Sequence, residues 1–222
     1  MSLIILDSID FKIDINLLLK SLHMDEDSEY IDDILSLGDK ANEIGRPKAI
    51  YKEACLNAKG AGYAVVDGIK LSSNILSVNI GSVDRIFPYI CTCGKELNDW
   101  AKSLDDILEQ YWADRIMELA LQQAIVAFQN HLKDGYRLGT TSNMNPGSLQ
   151  DWPISQQKQL FAIMGNPYEK IGVELTDSFL MWPIKSLSGI RYESDVEFIN
   201  CQLCPRERCE NRRVEYDSHL YH

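Results

Sequence analysis

The segment 175–189, Leu-Thr-Asp-Ser-Phe-Leu-Met-Trp-Pro-Ile-Lys-Ser-Leu-Ser-Gly, limits what this chain can fold into more than any other stretch. It reads as a strand that enters a tight corner at Met181-Trp182-Pro183 and leaves it as a short Ser-x-Ser-Gly strand. Proline has no N–H to give to a sheet ladder, so Pro183 marks the turn between the two. A corner of this kind needs a sheet to return to, and the rest of the sequence supplies one.

Residues 12–22 and 29–44 carry apolar positions at three- and four-residue spacing, the pattern of amphipathic helices. Residues 50–56 and 63–66 read as short strands about the glycine turn Lys59-Gly-Ala-Gly62, and 85–93 as a further strand closed by Gly94. A helix begins at Lys95. From 104 to 132 the spacing predicts one long helix or a pair, with Ile107, Leu108, Tyr111, Ile116, Leu119, Ala120, Ala124, Ala127 and Phe128 on the buried stripe. The alanines allow close approach to a sheet or another helix. Residues 135–147, rich in Thr, Ser, Asn and Gly, read as a loop. Asp151 is placed to cap a helix with Pro153 in its first turn, running to Met164 and ended by Gly165.

Strands and helices are mixed without a regular β-α-β repeat, so the expected class is α+β, a mostly antiparallel twisted sheet flanked by helices. Three stretches are expected: a helical lead-in over 1–46, an α+β core over 47–198 and a cysteine-containing tail over 199–222. A formal net charge of -11 argues against nucleic acid, whose binding draws on Lys and Arg. No run of about 18 apolar residues exists to cross a membrane. The N-terminus has no basic region ahead of an apolar one, so the expected compartment is the cytoplasm, with reduced thiols.

Searches for common motifs find no phosphate-binding loop, nucleophile elbow, zinc-protease helix or dinucleotide fingerprint. His131 lies near a helix end and reads as a surface imidazole. His219, in the run Asp217-Ser-His-Leu-Tyr-His222, lacks the glycine three residues on that a cobalt-ligating histidine motif carries. Cys201-x-x-Cys204-x-x-x-x-Cys209 is the second signal, three thiols within nine residues beside several arginines. Such a hook suits a tetrahedral thiolate site, either zinc or an iron–sulfur cluster, with Cys93, Cys91 or Cys55 as a fourth ligand. The alternative is that Cys55, Cys91 and Cys93 are small apolar core residues.

From about 132 to 192 the order of motifs resembles the activation (reactivation) domain of cobalamin-dependent methionine synthase, in the form of a stand-alone protein. The matching residues are Pro146-Gly147, Trp152-Pro153, Ile171-Gly172-Val-Glu-Leu-Thr176, Asp177-Ser-Phe-Leu-Met-Trp-Pro183 and Ser186-Leu-Ser-Gly189. The resemblance implies a protein that docks over the corrin ring of a corrinoid-binding protein or cobalamin-dependent methyltransferase. It also implies delivery of S-adenosylmethionine for the reductive remethylation of cobalt. Leu180, Met181, Trp182 and Pro183 would then be the corner near the methyl donor and the corrin edge, and Pro146, Gly147 and Ser148 the facing loop.

In the family that loop reads Arg-x-x-Pro-Gly-Tyr, whereas this chain has Asn143 in place of the arginine and Ser148 in place of the tyrosine. Arg137 could substitute only through a re-routed loop. Three functional classes follow: a reactivation protein using S-adenosylmethionine, a non-catalytic corrinoid-protein partner or electron-delivery module that accepts from a separate electron donor, and a zinc-stabilised interaction protein.

Overall fold

The structure, a computed structural model, describes residues 2–80, 83–149, 151–194, 200–204, 207–208, 212 and 214–217. The chain opens with strand β1 (Ile4–Leu6) and helices α1 (Ile15–Leu22) and α2 (Ile31–Ile44). Asp14 caps α1 by accepting the Leu17 N–H. Four strands follow, β2 (Lys48–Tyr51), β3 (Ala54–Gly60), β4 (Tyr63–Val66) and β5 (Ile69–Ser72), then the short helix α3 (Asn74–Asn79) and strand β6 (Arg85–Thr92). Helices α4 (Lys95–Ser103) and α5 (Ile107–Tyr136) lead to β7 (Thr141–Met144). Helices α6 (Gln157–Met164) and α7 (Pro167–Ile171) precede the hairpin of β8 (Glu174–Leu175) and β9 (Met181–Trp182), and β10 (Ser186–Glu193) completes the sheet.

Every strand pair among the described residues is antiparallel, as expected. The main sheet has eight strands and is built on β6. One edge of β6 pairs with β10, which in turn pairs with β7. The other edge is shared by β2 and β3, from which β1 on one side and β4 and β5 on the other extend the sheet. Alternation along β6 sends Phe87, Tyr89 and Cys91 into a cluster with Ala124, Phe128 and Leu132 of α5, and Ile90 into a cluster with Met164, Ile171 and Val173. The sheet is therefore covered on both faces, by α5 on one and by α6 and α7 on the other.

Of the long helix or pair expected at 104–132, the single long helix is present, 30 residues capped by Asp106. Ala120 and Ala124 are fully buried, which lets α5 lie close to the sheet. Ile107, Leu108 and Tyr111, placed on the buried stripe by spacing, are instead exposed; Trp112 and Ala113 take the buried positions at that end, against α1, α2 and α4. Two further expectations are corrected. The 135–147 loop contains β7, whose Ser142 and Met144 are buried although Thr-Ser-Asn-Met has little apolar alternation. Asp151 does not cap the helix that follows it: its carboxylate accepts from the Ser73 hydroxyl and the Ile75 N–H at the start of α3, both at 2.9 Å. No helix among the described residues is long and apolar enough to cross a membrane.

Candidate functional site

The 145–148 loop and the 180–184 corner are both tied to β10, and the motif Ser186-Leu-Ser188-Gly189 explains how. Ser186 holds the corner: its hydroxyl donates to the Pro183 carbonyl at 2.7 Å and meets the Thr92 hydroxyl at 2.9 Å. Two residues on, the Ser188 carbonyl accepts from the Asn145 amide at 2.7 Å, tying the 145–148 loop to the same strand. The Ser188 hydroxyl donates to Gln157 at the start of α6 at 3.4 Å. At Gly189 a Cβ would meet the Asn145 amide nitrogen, the Met144 carbonyl at 2.7 Å and the Tyr89 hydroxyl at 2.9 Å, so only glycine fits.

Around Gly189 lies a closed polar ring. Tyr89 donates to the Asn143 side-chain oxygen at 2.7 Å and accepts from Asn145 at 2.9 Å, while Asn143 donates to the Asn145 side-chain oxygen at 2.7 Å. Burial pushes the Tyr89 hydroxyl far above its ordinary range, with the two asparagine contacts and Arg191 opposing it. Tyr89 is thus a neutral donor. Asn143, opposite Arg191 in the β7–β10 register, has both its side-chain oxygen and its amide engaged in the ring. Nothing local in the sequence marks Tyr89, Asn145 or Arg191. Tyr89 and Asn145 stand 56 positions apart, beyond the reach of any local pattern.

The facing loop is a tight turn. Ser148 N–H donates to the Asn145 carbonyl at 3.2 Å and Gly147 N–H to the Trp152 carbonyl at 2.7 Å. Gly147 has φ +83°, and a Cβ there would lie 3.1 Å from Ile154. Pro146 is buried; Gly147 and Ser148 are exposed.

The corner is pinned from several sides but open at its apex. Thr176 N–H donates to the Leu180 carbonyl at 2.8 Å, closing the β8–β9 hairpin. Ile184 N–H donates to the side chain of the buried Asn98 at 3.2 Å, and Cys93 N–H to the Lys185 carbonyl at 2.9 Å. The Lys185 ammonium pairs with Asp114 of α5 at 2.9 Å. Met181 packs on Ile50, Ile90, Met164, Ile171 and Val173. The Lys102 ammonium lies 3.4 Å from the centre of the Trp182 ring, a cation–π contact. Leu180 and Ile184, on either side of the corner, are 59% and 53% exposed.

Among the described residues the thiols do not gather into a metal site. Cys93 is buried in the core of α1, α2, α4 and α5, and burial pushes its thiol up to about 12, which disfavours the thiolate a metal needs. Cys91 is likewise buried and shifted upward. Cys201 lies in the 3₁₀ turn Asn200–Leu203 and Cys204 follows it, and Arg212 donates to their carbonyls at 3.1 and 3.2 Å. Cys209 lies outside the described residues. Among the described residues no group of three or more His, Cys, Asp or Glu is placed to hold a metal ion. His131 has its Nδ1 2.6 Å from the Tyr51 hydroxyl. It lines a cleft of about 840 Å³ between the N-terminal segment and α5, which contains none of the loop or corner residues.

No protein-family model and no curated protein matches the chain in sequence. In three dimensions it is similar to a crystal structure of the MetH reactivation domain bound to AdoHcy, with a TM-score of 0.65 over 90% of this chain and 81% of that one. The aligned residues are 13% identical. At that identity the likeness speaks for architecture, and the chain has the fold of the MetH reactivation domain.

Proposed function

We propose that this chain is a reactivation or accessory protein for a corrinoid-dependent methyltransferase. It docks on the partner's corrinoid-bearing domain through the Leu180–Pro183 corner and the Pro146–Ser148 loop. It binds S-adenosylmethionine there as the methyl donor for reductive remethylation of the partner's cobalt. The observation that carries this reading is the fold likeness, over nine-tenths of the chain, to a domain whose crystal structure contains AdoHcy, the demethylated form of that donor.

The methyl group and the metal belong to the two ligands, so the protein contributes binding, orientation and exclusion of water. Leu180 and Ile184 present apolar surface that fits an apolar, planar partner and that water otherwise covers. Asn98, Thr92, Ser186 and Lys185 hold the corner in place without occupying its apex. Asn145 fixes the facing loop to Ser188. The buried neutral Tyr89 is suited to positioning and unsuited to acid–base work near neutral pH.

A second reading, a docking module without a methyl donor, is favoured by one observation: the Asn143 amide is committed to Tyr89 and Asn145. One experiment separates the two. The chain is mixed with a reduced, cobalamin-loaded corrinoid domain and S-adenosylmethionine carrying a labelled methyl group. Transfer of label to the corrinoid supports reactivation; a complex without transfer supports docking alone; neither transfer nor a complex contradicts both.

A further inference from the structure

We infer that Arg191 is the side chain that receives the carboxylate of the adenosyl amino-acid ligand, an assignment that rests on the binding of S-adenosylmethionine or AdoHcy proposed above. Such a ligand carries an amino-acid carboxylate, and this chain has a net charge of -11. As a whole the ligand is neutral or, with its sulfonium, cationic, but its carboxylate within an acidic protein needs a local cation. The loop 145–148 has no basic residue, and the two cations at the corner are engaged, Lys185 with Asp114 at 2.9 Å and Lys102 over the Trp182 ring at 3.4 Å. Along the whole of β7 and β10 the sequence places one cation, Arg191.

The geometry of Arg191 suits the task. It stands directly opposite Asn143 in the ladder and two residues beyond Gly189, on the face that Gly189 leaves open to Tyr89 and Asn145. Its Nε–H donates to the Thr141 hydroxyl at 2.8 Å, which orients the guanidinium plane from the neighbouring strand. Its charge is felt at the Tyr89 hydroxyl and at the Cys91 thiol, where it favours the anion against burial. A half-buried guanidinium fixed on one edge presents a planar fork that matches a carboxylate, in exchange for the contacts it holds in the free chain. Asn143, neutral and closed into the ring, cannot supply that charge. The cation is thus carried on the strand across from position 143 instead of on the loop strand itself. Arg137, at the left-handed C-cap of α5 with φ 52°, lies outside both strands.

Calorimetric titration of the full chain with AdoHcy and with 5′-methylthioadenosine, which keeps the adenosine and thioether but lacks the amino acid, tests the assignment. Arg191→Gln is expected to weaken AdoHcy binding by roughly 10- to 100-fold, the range for hydrogen bonds to a charged group, and to leave methylthioadenosine unchanged. Arg191→Lys is expected to retain AdoHcy affinity within about tenfold, since it keeps the charge. Equal weakening of both ligands by Arg191→Gln, equal loss in the Lys and Gln variants, or loss only in Arg137→Gln overturns the assignment while the binding proposal stands. A wild-type chain that binds neither AdoHcy nor S-adenosylmethionine overturns both. Where methylthioadenosine binds too weakly to measure, the contrast between the Lys and Gln variants with AdoHcy decides, and thermal unfolding of each variant reports whether it is folded.

Discussion

The seam between β6, β10 and β7 and the corner at 180–184 are joined by one short motif, yet they are built on opposite terms. The seam is closed. Gly189, Tyr89, Asn143 and Asn145 fill one another's space and satisfy one another's hydrogen bonds. The corner is fixed at its base through Asn98, Thr92 and Lys185 and unfinished at its tip, where Leu180 and Ile184 face water. The difference separates what makes the fold from what the fold is for. Changes in the closed ring of the seam should be read in stability, and changes at the corner, or at Arg191 beside the ring, in binding.

The largest effect is expected from Gly189→Ala. The added carbon has no space, and overpacking of this kind with backbone and asparagine as neighbours should cost about 3 kcal/mol or more in urea unfolding. A loss below about 1 kcal/mol would mean that the ring around Gly189 yields. Next is Asn145→Ala, which leaves the Ser188 carbonyl, the Tyr89 hydroxyl and the Asn143 amide each short of a partner and should cost about 2 kcal/mol by the same measurement.

The third effect is set by pH. Burial raises the Cys93 thiol from about 9 to about 12, and the Cys91 thiol shifts in the same direction. A pKa raised on folding gives stability that is complete below the unfolded value and is lost as pH rises toward the folded one. Urea midpoints should therefore hold up to about pH 8.5 and fall between roughly 9 and 12, with a shallower fall in Cys93→Ala. An unchanged slope in that variant would place the titrating group elsewhere. The smallest effect on stability belongs to the corner: Leu180→Ser and Ile184→Ser should each stay within about 0.5 kcal/mol of wild type.

The same division governs how much could be read from sequence. The corner and the Ser-x-Ser-Gly strand are local patterns, and both are present where they were expected. Helices α1, α2 and α5 follow from apolar spacing, within a turn of their ends. Strand β7 is not legible in the sequence because Thr141-Ser-Asn-Met144 gains its strand from the open edge of β10 and not from its own propensity. Asp151 sits where a cap for the next helix belongs, but the longer-range partners Ser73 and Ile75 take it. Tyr89 and Asn145 left no trace, since a tyrosine in a buried strand and an asparagine before a proline each have common local explanations. For the strand cysteines the sequence left two readings open. Cys93, offered as a fourth ligand to the tail or as a small core residue, lies among the apolar residues of α1, α2, α4 and α5.

The most direct test of the account is calorimetric titration of the chain with a cobalamin-loaded corrinoid domain, wild type against the Leu180→Ser/Ile184→Ser double variant. The account predicts a saturable complex with the wild type and its loss in the variant, at unchanged thermal stability. No complex with the wild type, or a complex that the double variant forms equally well, would contradict it.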